Sequence, residues 1–293
     1  MVESRQANKQ LSRLFKHKNR SGFTFKAPKK SLKNFGIKYI MTNPQHSVAL
    51  ITGASKRIGA EICRQLHQRG YNIVLHYQQS ELEAGLVKEE LNLLRANSCI
   101  TLVADLNSLS EIKKLAENAE KQWQRIDLLV NNASRFYPVE VGSVKEQHWD
   151  DLLGSNLKGA FFLAQELSPT LKKHQGNIIN IIDIYAKHPL KSHSVYCIAK
   201  AGLVAMTQSL ALELGPDIRV NGISPGAILW PVQADTQTDN NQASAQQQNI
   251  LNKTALQRSG SPLDIANTLV FLAMDAPFIT GQIIAVDGGR LSC

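Results

Sequence analysis

At 293 residues the chain is long enough for one α/β domain with a full core, and 43% apolar residues exclude disorder of the whole chain. The net charge of +9 suggests nucleic acid until it is located: residues 1–40 hold eleven of the 33 Lys and Arg and one of the 24 acids, a net +10, leaving −1 for 41–293. No apolar run approaches the roughly 18–20 residues needed to span a bilayer.

The chain opens on the basic segment 1–40, which lacks the apolar stretch of a secretory signal. Its charge ends abruptly at Met41-Thr42-Asn43-Pro44, so a domain is expected over 41–293. Three readings of 1–40 stay open. It is a disordered extension translated from an upstream start, with Met41 the true first residue; a targeting segment; or a weak polyanion-binding arm.

From Ser47 short β-branched runs alternate with helical patterns. "SVALIT" (47–52) reads as a strand, followed by a Gly-containing turn and a helix over 58–70 closed by Gly70. A strand at 71–77 and a helix at 80–96 follow, then a strand at 99–105 and a helix at 108–124. The fourth strand is 127–133, and a long helical stretch covers 146–174. Strands at 177–183 and 218–224 enclose a helix at 193–214. A helix at 262–274 and a strand at 282–287 close the series. Near-continuous apolar strands alternating with helices mean a parallel sheet covered on both faces. We therefore expect a doubly wound, seven-stranded parallel sheet of the Rossmann type, with ligands at the carboxyl ends of the strands. The Gln/Asn/Asp-rich stretch within 230–255 reads as a substrate loop over the site. Cys63, Cys99, Cys197 and Cys293 form no C-x-x-C pair and have no His at ligand spacing, so they read as reduced thiols of a cytoplasmic protein, with no metal site.

"TGASKRIG" (52–59) is the phosphate turn. Gly53 permits the tight exit from the strand, and Gly59 lets the helix approach the sheet. Free N–H groups at the helix start then face an anion. Arg57 stands where a G-x-x-x-G-x-G pattern has its middle glycine, and its side chain is expected to project toward the site mouth. The second strand ends "LHYQQS" (75–80), without the acid that would bond the ribose of NAD. NADP is favoured, with Ser80, Arg57 and Lys56 as phosphate partners, although no arginine stands at the strand end. Asp105 is placed to accept from the adenine amine or to serve as a helix cap. "NNAS" (131–134) ends the fourth strand, where Asn132, Ala133 and Ser134 can line a cofactor. Asn156, an amide inside an apolar helix, needs a partner and is expected to hold a kink or a relay water. Tyr196 and Lys200 lie one helical turn apart on one face, and the ammonium is expected to draw the phenol pKa toward the working range. Asp183 stands thirteen residues before Tyr196.

These residues are similar to the short-chain dehydrogenase/reductase family over essentially all of 47–290: TG-x3-R-IG, NNA, Asn156, Tyr196-x3-Lys200, "RVNGISPG" (219–226) and "ITGQIIAVDGG" (279–289). Arg57 and Asp183 depart from the common pattern, and both departures resemble the pteridine reductase branch, which has an aspartate in place of the catalytic serine. "NNASRFYP" (131–138) resembles the segment by which that branch holds its pterin, at positions here occupied by Ser134 and Phe136. "HYQQS" is near that branch's cofactor motif, with Gln79 replacing an arginine. The resemblance implies a cofactor set of Gly53, Ser55, Arg57, Ile58, Gly59, His76, Tyr77, Ser80, Asp105, Leu106, Asn132, Ala133, Ser134, Tyr196, Lys200, Pro225 and Gly226. It implies a substrate set of Arg57, Ser134, Phe136, Asp183 and Tyr196, and a homotetramer with no nucleic-acid or membrane partner.

A serine beside the tyrosine donates to a carbonyl oxygen. An ionised carboxylate accepts instead and keeps the phenol protonated, which suits proton delivery to a ring imine nitrogen. The expected reaction is NADPH-dependent reduction of a pterin, with folates as further substrates and salvage of reduced pterin as the role. Tyr196 is then the proton donor, Asp183 and Lys200 poise it, Lys200 also binds the nicotinamide ribose, and Phe136 stacks on the pterin. The rivals are a short-chain carbonyl reductase acting on 3-oxoacyl thioesters or sugars, and a non-catalytic nucleotide-binding protein.

Overall fold

The computed structural model describes residues 47–228 and 248–292, all within the unit Met41–Cys293. The basic segment 1–40 and most of the loop expected at 230–255 lie outside the described residues.

Seven strands form one parallel sheet: β1 Val48–Ile51, β2 Asn72–Tyr77, β3 Cys99–Val103, β4 Leu128–Asn131, β5 Asn177–Ile181, β6 Arg219–Pro225 and β7 Ile283–Val286. Their order is β3-β2-β1-β4-β5-β6-β7, with every pairing parallel. The order reverses between β1 and β4, the switch point at which such sheets open a crevice. The helices are α1 Arg57–Gln68, α2 Glu81–Leu94, α3 Leu109–Trp123, α4 Glu146–Leu153, α5 Gly159–Lys173, α6 Ser194–Leu214 and α7 Pro262–Val270. Helices cover both faces. β1 shows why its sequence is apolar throughout: Ala49 and Ile51 enter the core under α1, α2 and α7, while Val48 and Leu50 enter the core under α3, α5 and α6. A strand buried on both faces cannot alternate in polarity.

Strand ends differ from the sequence expectation where a backbone group finds a better partner. β4 was expected to reach residue 133 but stops at Asn131, because the N–H groups of Asn132 and Ala133 donate to Thr52 Oγ1 at 2.9 and 3.0 Å. β5 stops at Ile181, and Asp183 instead accepts from Tyr185 N at 2.9 Å, capping a short 3-10 turn, Ile184–Ala186. The expected helix 146–174 is interrupted at Gly154–Lys158 by a π-turn.

Helix α6 has the length and composition to cross a membrane, contrary to the expectation that no segment would. In this fold it is a core helix: Leu203, Met206 and Leu210 pack on the sheet, and a chain of buried amides anchors it. Asn131 Nδ2 donates to Asn180 Oδ1 at 2.8 Å, and Asn180 Nδ2 donates to Thr207 Oγ1 at 2.8 Å. Polar groups this deep are tolerated because each is paired.

Candidate active site

The phosphate turn follows β1 directly. Gly53 has φ +58, and a Cβ there would lie 2.8 Å from Ala133 Cα, so both conformation and space require glycine. Gly59 sits against the turn: a Cβ would meet Gly53 O and Ala54 Cα at 2.7 Å. Arg57 adopts φ +52, the left-handed region that glycine would occupy at no cost. The N-cap of α1, Lys56, makes no side-chain cap, and the first turn holds no acid. The opening amides of α1 are thus offered to an anion, which fits a nucleotide phosphate.

In front of this turn lies an open cavity of about 530 Å³. Four strand ends build it: Gly53 and Ser55 to Gly59 after β1, His76 to Ser80 at the end of β2, Ala104 to Leu106 after β3, and Asn132 to Arg135 after β4. Its size and its run of backbone amides fit a dinucleotide. The sequence-predicted residues Gly53, Ser55, Arg57, Ile58, Gly59, His76, Tyr77, Ser80, Asp105, Leu106, Asn132, Ala133 and Ser134 are all brought to it. Pro225 and Gly226 are not among its lining; they end β6 beside Val286.

Several of these side chains are otherwise engaged. His76 is a strut with both ring nitrogens used: Nδ1 accepts from Gly53 N at 3.2 Å, and Nε2 then donates to Ala104 O at 3.1 Å. Burial lowers its pKa to about 4, so the ring is neutral and ties three strand ends together. Asn132 Nδ2 donates to Thr52 O and Gly53 O, both at 2.9 Å, and so shapes the phosphate turn from beneath. Lys56, expected to meet a phosphate, pairs with Glu83 at 2.6 Å. One carboxylate oxygen of Asp105 accepts from Asn107 N at 3.0 Å, closing a local turn, while Ser108 caps α3. The helix-cap reading of Asp105 is thus not met, since Ser108 holds that place, and Asp105 lines the cavity instead.

The second cluster lies beyond Ser134. Tyr196 Oη donates to Asp183 Oδ2 at 2.7 Å, and Lys200 Nζ donates to Ile181 O at 3.0 Å. Burial and the Asp183 charge push the Tyr196 phenol well above its ordinary range. Burial likewise raises the Asp183 carboxyl, although Tyr185 N, Tyr196 and Lys200 oppose it. Burial lowers Lys200 to about 8. The expectation that Lys200 pulls the phenol down is not met: burial and the carboxylate in direct contact push it up, and the Lys200 ammonium donates its hydrogen bond to Ile181 O. Ser134 Oγ donates to Asn156 Oδ1 at 2.7 Å, and Asn156 Nδ2 donates to Arg135 O and Leu152 O at 2.9 and 3.0 Å. Asn156 lies in the π-turn, and its side chain, which was expected to need a partner, bonds the loop after β4.

Phe136 is half-exposed. One face stacks on His193 at 4.5 Å and 19°, and Tyr196 meets it edge-on at 4.8 Å. A planar ligand therefore finds at most one open face, a constraint that spacing alone did not reveal. Sequence reasoning also missed His193, Thr52, Gln78 and Arg135. Arg135 stood inside the quoted "NNASRFYP", and convergence of strand ends was the signal that could have marked it. Tyr185 was missed too, and the Arg290 guanidinium sits 5.7 Å from its ring centre.

A family model described as enoyl-(acyl carrier protein) reductase matches residues 53–290. The chain belongs to the short-chain dehydrogenase/reductase family. This oxidoreductase is 35% identical to pteridine reductase 1 of Leishmania tarentolae, over 85% of its own length and 97% of the relative's. It is 36% identical to a 3-oxoacyl-acyl-carrier-protein reductase of Staphylococcus epidermidis, over 82% and 97% respectively. An uncharacterised oxidoreductase of Methylorubrum extorquens matches at 34%, over 85% and 99%. Reductases of this kind use nicotinamide cofactors, and overall identity does not separate a pterin from a thioester substrate.

Proposed function

We propose that this reductase transfers a hydride and a proton to the C=N bond of a pterin ring, with NADPH as its cofactor. The observation that carries the reading is the 2.7 Å bond from Tyr196 Oη to Asp183 Oδ2. A carboxylate there gives a developing oxyanion no donor and repels it. It holds the phenol protonated instead, ready to give its proton to a ring nitrogen.

The opening amides of α1 and Ser80 would hold the nucleotide phosphates, Asp105 would meet the adenine, and Lys200 would hold the nicotinamide ribose. When bound, NADPH supplies the hydride. Tyr196 delivers the proton to the nitrogen next to the reduced carbon, so the C=N bond becomes CH–NH and the phenolate is reprotonated from solvent. Asp183 keeps that proton on Tyr196 until transfer, and Lys200 offsets the charge left behind. Phe136 stacks on the ring through its open face, and Arg57 and Ser134 meet its polar edge. The 35% identity to a pteridine reductase supports this reading, and a role in pterin or folate metabolism follows from it.

The 36% identity to a 3-oxoacyl thioester reductase favours a second reading, carbonyl reduction. One experiment separates them: NADPH oxidation by residues 41–293 with dihydrobiopterin, dihydromonapterin, dihydrofolate and acetoacetyl thioester in parallel, repeated with NADH. Pterin turnover that falls roughly 10²–10⁴-fold in Tyr196→Phe supports the proposal. Faster turnover of the thioester than of any pterin would overturn it. Under the pterin reading, Asp183→Ser shifts the ratio of turnover toward the thioester.

A further inference from the structure

The mouth of the nucleotide cavity is bridged by a side chain that the cofactor reading did not use. Arg135, in the loop after β4, crosses to the end of β2, where its Nη2 donates to Gln78 Oε1 at 2.9 Å. Its Nη1 pairs with Asp151 on α4, whose other carboxylate oxygen accepts from Tyr137 Oη at 2.9 Å. The guanidinium is therefore held on one side by a fixed acid and on the other by a neutral amide.

The end of β2 is where a dinucleotide fold reads the adenosine ribose. Here it carries Gln78 and Gln79, neither an acid nor a base; Lys56 across the cavity is already paired with Glu83, and Arg57 lines the cavity from the turn after β1 rather than from this strand end. We propose that Arg135 supplies the cation at this strand end and is the residue by which this reductase selects a dinucleotide phosphorylated on its adenosine ribose. A phosphate is a stronger acceptor than an amide carbonyl. Arg135 can exchange Gln78 for the phosphate while Asp151 keeps its other arm in place. A cofactor without that phosphate leaves the Arg135–Gln78 bond intact and gains nothing from it.

The inference rests on the NADPH reading above, and the two fail separately. Binding of NADPH and of NADH to the full chain is measured by calorimetric titration without substrate, for the unaltered sequence, Arg135→Leu and Gln78→Glu. Arg135→Leu is expected to cut the NADPH-over-NADH preference about tenfold or more by weakening NADPH alone. Gln78→Glu is expected to cut it as strongly, because the new carboxylate pairs with Arg135, repels the phosphate and accepts from the ribose hydroxyl of NADH. An unchanged preference in either folded variant, or equal weakening of both cofactors in Arg135→Leu, overturns the role of Arg135. Equal affinities in the unaltered sequence overturn the NADPH reading itself.

Discussion

Arg57 takes a glycine's conformation at φ +52 within the phosphate turn. An L-residue there costs about 1–2 kcal/mol, because its Cβ crowds the following carbonyl. Arg57→Gly should accordingly stabilise the domain by about 1 kcal/mol after the entropy of the freer unfolded chain is counted, read as a raised urea midpoint. The same change removes a guanidinium from the cavity, so under the proposed pterin reading the KM for pterin should rise while stability improves. His76 makes a pH prediction. Its pKa is about 4 in the fold and about 6.5 unfolded. The unfolded chain binds the proton more readily, so stability is full above pH 6.5 and is lost as pH falls toward 4. The loss approaches about 3 kcal/mol by linkage. Urea midpoints between pH 4 and 7 should show this slope, and His76→Asn should flatten it.

At the scale of elements, the π-turn between α4 and α5 holds Asn156 inward, joined at once to Ser134, Arg135 and Leu152. The turn connects the loop after β4 to a rigid helix, and that loop carries both Ser134 and Phe136. Asn156→Leu should cost about 1–3 kcal/mol, the penalty for buried polar groups left without partners. Under the proposed pterin reading it should also lower pterin turnover and weaken NADPH binding together, since Asn156 holds both Ser134 and Arg135. Thermal melting, pterin turnover and NADPH titration, measured together, check this.

Across the whole molecule, the sheet fixes where every loop emerges. Leu129 in the central strand β4 is fully buried against α3, α5 and α6. Leu129→Ala should destabilise the domain by about 2–5 kcal/mol, mainly through the cavity it leaves. Denaturant titration should show the loss, with cofactor affinity recovered under conditions that keep the variant folded. Helix α6 shows how a global role hides a local one: it is apolar enough for a membrane because it is a core helix, yet it delivers Tyr196 and Lys200 to the site.

The alternation of strand and helix patterns was sufficient for the doubly wound parallel sheet, because two-sided burial demands near-continuous apolar strands and a crossover between them. The phosphate turn and the pairing of Tyr196 with Asp183 were legible for a similar reason: the turn lies next to β1 in sequence, and both side chains follow β5. Three things waited for the tertiary structure. Whether Asp183 or Lys200 governs the phenol depended on which of them bonds its oxygen: Asp183 does, at 2.7 Å, while Lys200 bonds Ile181 O, which spacing along a helix does not encode. That His76 and Asn132 are struts followed from which backbone groups surround them. That Arg135 reaches Gln78 required two loops 57 residues apart to meet at one end of the sheet. Local periodicity specifies the elements; only their convergence specifies which side chains share a charge, a proton or a ligand.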